Sequence, residues 1–193
     1  MNLLNAGNTY IVVSSDWMAD KALECGVKEN KITKILNYIP MHYRYLDLKY
    51  ECRSLLGWRK ESNYKKIIYF SGSIKDPRKG FEFLISALRI LPSEVKSHIA
   101  VQILGVNKGT IDSLETINIE YKSLGIFSDE ISQVVAYNAA DLLICPSSYD
   151  NTPNVIAEAQ MCGLPSIARS NTGCAEMISD DISGKIVDYN SIE

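Results

Sequence analysis

The 193-residue chain reads as an α/β fold: a Rossmann-like, doubly wound, mostly parallel sheet with helices on both faces. Two patterns predict it. Short apolar runs alternate along the chain with amphipathic helical segments, which calls for right-handed crossovers and a largely parallel sheet. Two of those runs, KKIIYF ending at Phe70 and DLLICPS at 141–147, are each followed by a polar loop and the start of a helix. In an open sheet of this kind the ligand crevice lies outside the carboxyl ends of the strands, so both loops would line one rim.

Residues 10–14 (YIVVS) read as a first short strand, and 16–25 as an amphipathic helix. The run at 31–39 reads as another strand ending in Asn-Tyr-Ile-Pro, 45–59 as a helix, and 64–71 as a buried strand. From Lys79 onward Phe81, Leu84, Ile85, Leu88 and Leu91 recur at helical spacing, giving an amphipathic helix that ends near Pro92. A strand follows at 98–106 with Gly105 at its exit, then a strand at 119–124 and a helix at 130–140. The buried strand at 141–147 precedes a further helix, a segment at 166–169, a helical turn around 175–178 and a last strand at 185–189.

Composition narrows the function classes. The length suffices for one domain with a real core, and 46% hydrophobic residues is ordinary for a globular protein. A net charge of −3 carries no nucleic-acid signature. The five cysteines, at 25, 52, 145, 162 and 174, contain no C-x-x-C and read as small core residues of a protein in a reducing compartment. Neither His42 nor His98 has another ligand type at metal spacing, so no metal site is expected. No apolar run approaches the ~20 residues of a spanning helix, and a soluble or at most peripheral protein is expected.

The stretch 147–163, SSYDNTPNVIAEAQMCG, sets Asp150 and Glu158 on either side of a helix start. Thr152 reads as the N-cap and Pro153 as the first helical residue, where its missing N–H costs nothing. The next amides, from Asn154 and Val155 onward, then point outward unpaired and favour an anion. Val155, Ala159 and Cys162 form an apolar stripe with Glu158 on or beside it. A carboxylate there needs donors, which sugar hydroxyls would supply; a neighbouring lysine or backbone amide is the plainer alternative. In the other loop, FSGSIKDPRKG at 70–80, Gly72 frees the turn, Pro77 stiffens it, and Lys75, Arg78 and Lys79 form a cationic cluster suited to a diphosphate. A solvated basic turn is the plainer reading of that loop taken alone.

Taken in order, these segments resemble the donor-binding half of retaining GT-B glycosyltransferases, specifically glycosyltransferase family 4 (glycosyl transferases group 1). The similarity covers nearly the whole chain through Arg78-Lys79-Gly80-Phe81, Ala140-Asp141 with Pro146-Ser147, the pair Asp150 and Glu158, Cys162-Gly163-Leu164-Pro165, and Thr172-Gly173-Cys174-Ala175-Glu176. The resemblance implies transfer of a sugar, with retention, from a UDP- or GDP-linked donor, without metal or other cofactor. It implies that transfer depends on Lys79, Asp150 and Glu158 as binding and electrostatic groups. The nucleotide's base would lie near Gly105, Val106, Ile126 and Phe127, and its ribose on Glu158. The diphosphate would lie among Gly72, Ser73, Arg78, Lys79 and the tip formed by Thr152, Pro153, Asn154 and Val155, with Asp150 and Asn151 facing the sugar. Two positions depart from the pattern. Asp150 stands where the family usually has Glu, and Ser73 where many relatives carry a phosphate-binding Arg.

The same resemblance divides the chain at about residue 36. Residues 1–36 would be the end of an N-terminal domain or linker packed on the core, and 37–193 the donor-binding domain without its C-terminal return helices. A saccharide or lipid-linked acceptor would bind the missing N-terminal domain. The expected setting is polysaccharide or glycoconjugate biosynthesis in the cytoplasm, with peripheral association at the inner membrane face compatible with it, and the piece alone is expected to be inactive. Two other classes stay open: a GT-B sugar-nucleotide epimerase, which would need acid and base groups in the cleft, and a non-catalytic nucleotide-binding module. A response-regulator-like domain would need an acidic cluster after the first strand, which Ser14, Ser15 and Asp16 do not supply.

Overall fold

In the computed structural model, residues 8–105 and 111–188 are described. Strand β1 (Ile11–Val13) leads into helix α1 (Asp16–Glu24), which Ser15 caps by accepting from the Met18 amide. Strand β2 (Ile32–Lys34) pairs in parallel with β1, and the two form a small sheet of their own. After α2 (Lys49–Leu55) the main sheet begins with β3 (Lys66–Ser71), and α3 (Phe81–Ile90), α4 (Ser93–Ser97) and β4 (Ile99–Leu104) follow. Then come α5 (Asp112–Thr116), β5 (Glu120–Gly125), α6 (Glu130–Ala139), β6 (Leu142–Cys145), α7 (Asn154–Met161), β7 (Ser166–Arg169) and β8 (Gly184–Val187).

The six strands from β3 to β8 stand in the order β5-β4-β3-β6-β7-β8, and every neighbouring pair is parallel. The chain builds outward from β3 to β5 and then returns to β3's other side for β6. The order therefore reverses between β3 and β6, and that switch point is where an open α/β sheet leaves a crevice.

Alternate residues of β3 serve opposite cores, as the pleat requires. Ile68 and Phe70 pack with Val101, Ile103 and the α3 stripe Phe81, Leu84, Ile85 and Leu88. Ile67 and Tyr69 face the other way, onto Tyr137 and Val134 of α6, Leu143 of β6, and Ile156 and Ala159 of α7. Covering both faces is why the strands read as continuous apolar runs rather than alternating ones.

Several elements are shorter than their patterns. The helix expected over 45–59 is only α2, because Asp47 (φ 54°) and Gly57 (φ 76°) adopt left-handed backbone on either side of it. The strand expected over 31–39 is confined to Ile32–Lys34, whose partner β1 is itself three residues long. The turn near 175 is a 3-10 helix, Ala175–Met177, and the short α4 and α5 lay below the reach of a periodicity reading. The expected strand ends at Val106 and Tyr189 lie outside the described residues. None of the five cysteines is in a disulfide; four are buried, but Cys25, just past the end of α1, is exposed and not a core residue. No helix among the described residues is long and apolar enough to cross a membrane.

One buried ion pair ties the helical layer to the sheet next to the switch point. Asp141, just before β6, accepts from Lys49 Nζ at 2.8 Å, Arg53 Nη2 at 2.5 Å and the Ile67 amide at 2.8 Å. Arg53 is 2% exposed, and its other nitrogens donate to the carbonyls of Ala139 and Asn63 at 2.9 and 3.0 Å. Burial alone would raise the Asp141 pKa, but the bonds from Lys49 and Ile67 and the charges of Arg53 and Lys49 outweigh it and hold the carboxyl below its ordinary range.

A depressed folded-state pKa adds stability that is present above the unfolded carboxylate pKa and is lost as pH falls through the folded one. Asp141→Asn, which leaves Arg53 buried beside a neutral group, should cost ~3–5 kcal/mol in urea unfolding at pH 7. The gap from wild type should begin to narrow below about pH 4, where Asp141 of the unfolded chain takes up a proton, and close further as pH falls through the lower pKa of the folded carboxyl. A gap that stays constant between pH 7 and pH 3 would contradict this role.

Candidate functional site

The loops that follow β3 and β6 meet at the switch point, and backbone contact fixes how they meet. Gly80 has φ 72°, and a Cβ there would lie 2.2 Å from the carbonyl oxygen of Pro146. Any side chain would force the loops apart. Next to this contact the Ser148 amide donates to the Arg78 carbonyl at 2.8 Å. A third loop, after β7, closes on the same place: the Gly173 amide donates to the Asp150 carbonyl at 3.1 Å, and a Cβ on Gly173 would fall 1.6 Å from the Asn151 carbonyl oxygen.

The three cations of the first loop have separate fates. Asp76 caps the 3-10 turn Pro77–Lys79 by accepting from the Arg78 amide at 3.0 Å. It also takes the Arg78 guanidinium, with Nε to Oδ1 at 3.1 Å and Nη2 to Oδ2 at 2.8 Å. The hydrogen bonds from Arg78 hold the Asp76 carboxyl below its usual range. Lys75 is exposed, and its amide donates to Ser73 Oγ at 3.3 Å. Lys79 alone of the three crosses to the second loop, where Nζ lies 2.7 Å from Asp150 Oδ2. Burial opposes its charge, but the hydrogen bond and charge of Asp150 overcome that, and the ammonium titrates above its ordinary range. The other Asp150 oxygen accepts from the Asn151 amide at 3.0 Å, so both oxygens are engaged.

At the start of α7 the capping differs from the sequence expectation. Pro153 is the N-cap, in extended backbone, and the helix begins at Asn154. Thr152 does not cap, because its hydroxyl is bonded to Ser14 Oγ and accepts from Asn37 Nδ2 at 3.2 Å. Asn37 Nδ2 also donates to the Thr152 carbonyl at 3.0 Å and to Asn154 Oδ1 at 2.9 Å. Asn151 is turned the same way: Nδ2 donates to Ser14 Oγ at 2.8 Å and Oδ1 accepts from Ser15 Oγ. The side chains expected around the ligand thus fasten the β1–β2 unit to the helix tip. What the tip offers a ligand is backbone: the first amides of an eight-residue helix, with the positive end of its dipole.

Glu176, from the last of the sequence motifs, belongs to the same fastening. Its carboxylate accepts from the amides of Asp16, at 2.8 Å, and of Trp17, at the N-terminus of α1. Glu176, Ser14, Ser15 and Asn37 were not among the residues the sequence singled out for this site. Their partners are 115 to 160 residues away, so no local pattern announces them.

Glu158 lies on the buried side of α7, 9% exposed, as its place beside the apolar stripe predicts. Its partner is neither a lysine nor an amide: Tyr137 OH, on α6, donates to Oε2 at 2.6 Å. Burial pushes the Glu158 pKa up, and the Tyr137 bond partly restrains it. At the ends of β4 and β5 the Gly105 amide donates to the Gly125 carbonyl at 2.9 Å, Ile126 is 72% exposed, and Phe127 packs into the core. Gly72, Ser73, Lys79, Gly105, Ile126, Asp150 and the α7 tip therefore share one rim, at the carboxyl ends of β3 to β6. Among the described residues no three His, Cys, Asp or Glu side chains group to hold a metal ion.

Comparison with known proteins fits this geometry. The chain is 25% identical over 181 residues to an uncharacterized 41.2 kDa protein in the cps region of Klebsiella pneumoniae, covering 93% of this chain and 48% of that one. It is 34% identical over 137 residues to a D-inositol 3-phosphate glycosyltransferase of Mycolicibacterium smegmatis, covering 66% and 30%. The crystal structure of Anabaena Alr3699/HepE in complex with UDP superposes with a TM-score of 0.79 at 19% identity, over 97% of this chain and 52% of that one. At that identity the likeness concerns the fold. The chain spans about half the length of these relatives or less. Residues 65–193, more than half of the chain, match the family described as Glycosyl transferases group 1, and the chain belongs to that family.

Proposed function

We propose that this chain is the donor-binding half of a retaining GT-B glycosyltransferase of family 4, and that the donor is a UDP- or GDP-linked sugar. One observation carries the reading: a lysine ammonium and an amide-rich helix tip meet at the switch point of a parallel sheet, with Lys79 Nζ held 2.7 Å from Asp150 beside the start of α7. A diphosphate is the ligand that uses both features at once.

In this reading the diphosphate lies between Lys79 and the amides of Asn154 and Val155. The ribose lies on Glu158, the base beyond Gly105 and Ile126, and the sugar near Asp150. As the glycosidic bond breaks, negative charge grows on the departing diphosphate, and a cation and dipoles already fixed there lower the barrier. Charge neutralisation by Lys79 and the helix tip needs no metal. Retention requires no base on this half, because the leaving phosphate can accept the acceptor's proton. Arg78 is spent on Asp76, which concentrates the electrostatic role on Lys79.

The relatives support the donor class and the setting. Anabaena Alr3699/HepE is described in complex with UDP-glucose as well as UDP, and an O-antigen chain mannosyltransferase B of Escherichia coli is 28% identical over 125 residues. We place the acceptor, a saccharide or a lipid-linked one, on an N-terminal domain outside this chain. Polysaccharide or glycoconjugate synthesis in the cytoplasm, at or near the inner membrane face, accompanies this reading, and five thiols without disulfides suit such a compartment.

Two measurements on this chain test the assignment by calorimetric titration with UDP and GDP. Lys79→Ala should weaken binding of the preferred diphosphate by about tenfold or more, on the order of 1.4 kcal/mol. Unchanged affinity would remove Lys79 from the site. Asp150→Ala should leave diphosphate binding unchanged or tighter, because the aspartate competes for Lys79, and should abolish any preference for the sugar-linked nucleotide over the bare one. A large loss of bare diphosphate affinity in that variant would contradict the placement of Asp150 at the sugar.

A further inference from the structure

Tyr137 has no role in the site as argued so far, yet it is the one described side chain that hydrogen-bonds Glu158. Resting on the donor-site reading above, we infer that Tyr137 is a positioning residue: it fixes one oxygen of Glu158 so that the other is presented to the hydroxyl pair of a ribose.

The tyrosine hydroxyl has little freedom of place. Tyr137 is 1% exposed, and two other aromatic rings pack against it at steep angles, Tyr69 at 5.2 Å and 79°, and Tyr43 at 6.0 Å and 69°. Such edge-to-face packing resists rotation of the ring about its own bonds. The donor is on α6 and the acceptor on α7, so the carboxylate takes its orientation from across the helix pair and not from its own helix. The bond at 2.6 Å is in the range of an O–H donor to an ionised carboxylate.

Protonation fits the division of labour. Burial drives the Tyr137 phenol far above its ordinary range, so it stays a donor at any physiological pH. The same burial raises Glu158, while the hydrogen bond from Tyr137 favours its charged form. A carboxylate with Oε2 satisfied in this way keeps Oε1 as an acceptor, and Oε1 has no hydrogen-bond partner among the described residues. A ribose supplies two adjacent O–H donors, which matches an acceptor held in one place.

A plain stitch between α6 and α7 would predict something different, and ligand chemistry separates the two. This chain, as wild type, Tyr137→Phe, Glu158→Gln and the double variant, is titrated with UDP and with 2′,3′-dideoxy-UDP, and with the guanine pair if UDP does not bind. Phenylalanine keeps the ring packing and removes only the hydroxyl. Tyr137→Phe should weaken the ribose form by about tenfold and the dideoxy form by less than about twofold. Glu158→Gln should show the same selectivity, and the double variant no further loss, because the two groups act as one unit. Equal losses for both ligands, no loss for either, or additive losses in the double variant would overturn the inference while leaving the donor site in place. Absence of binding by the wild type to any of the four ligands would overturn the donor reading itself, and the role of Tyr137 with it. Should Tyr137→Phe fail to fold, the Glu158→Gln pair of titrations decides: equal losses there overturn the inference, because an oxygen that does not meet the ribose has nothing to be positioned for.

Discussion

The crevice depends on one close approach, the backbone of Gly80 against the carbonyl of Pro146. With no side chain in a place where a Cβ would stand 2.2 Å from that oxygen, the loop after β3 can lie directly on the loop after β6. The Lys79–Asp150 pair sits beside that contact. Lys79 lies within 2.7 Å of Asp150, and both stand beside the first turn of α7. Neither feature is a ligand site by itself: a lysine on a turn is usually solvated, and a helix tip usually meets water. Joined at the point where the strand order reverses, they set a paired lysine beside helix amides in a partly buried place, where electrostatic interactions are less screened than at an open surface.

The scaffold holds that arrangement in position by satisfying polar groups rather than by hydrophobic packing alone. Asp141 fastens α2 to the starts of β3 and β6 through a buried arginine that also donates to the carbonyls of Ala139 and Asn63. Asn151, Thr152 and Asn37 fasten the helix tip to the β1–β2 unit, and Glu176 fastens that unit again at the head of α1. Asp150 is the anion that both Lys79 and the Asn151 amide meet in this structure.

Much of this was legible in the sequence, for physical reasons that can be named residue by residue. Strands covered on both faces must be apolar throughout, so IIYF in β3 and LLIC in β6 announced themselves. The helix stripe from Phe81 to Leu88 had the required period, and the Asp150 and Glu158 spacing placed one in the loop and one on the buried side of α7. What escaped was of longer range. The Thr152 cap failed because Ser14, 138 residues away, competes for the same hydroxyl. The helix over 45–59 was overdrawn because left-handed backbone at Asp47 has no reliable signature in composition. Tyr137 was not singled out at all, although a buried phenol needs a partner for its hydroxyl and that need was a usable signal. Asp141 was noticed only as part of a motif, and its ion pair with Arg53 emerged only once the chain was folded.

The most direct test of the central claim is a crystal structure of this chain with UDP or GDP bound. The account predicts the diphosphate within hydrogen-bonding distance, about 3 Å, of both Lys79 Nζ and the amides of Asn154 and Val155, with the ammonium moved off Asp150. A diphosphate found at the opposite, amino-terminal ends of the strands, or bound at the crevice without contact to Lys79, would contradict it.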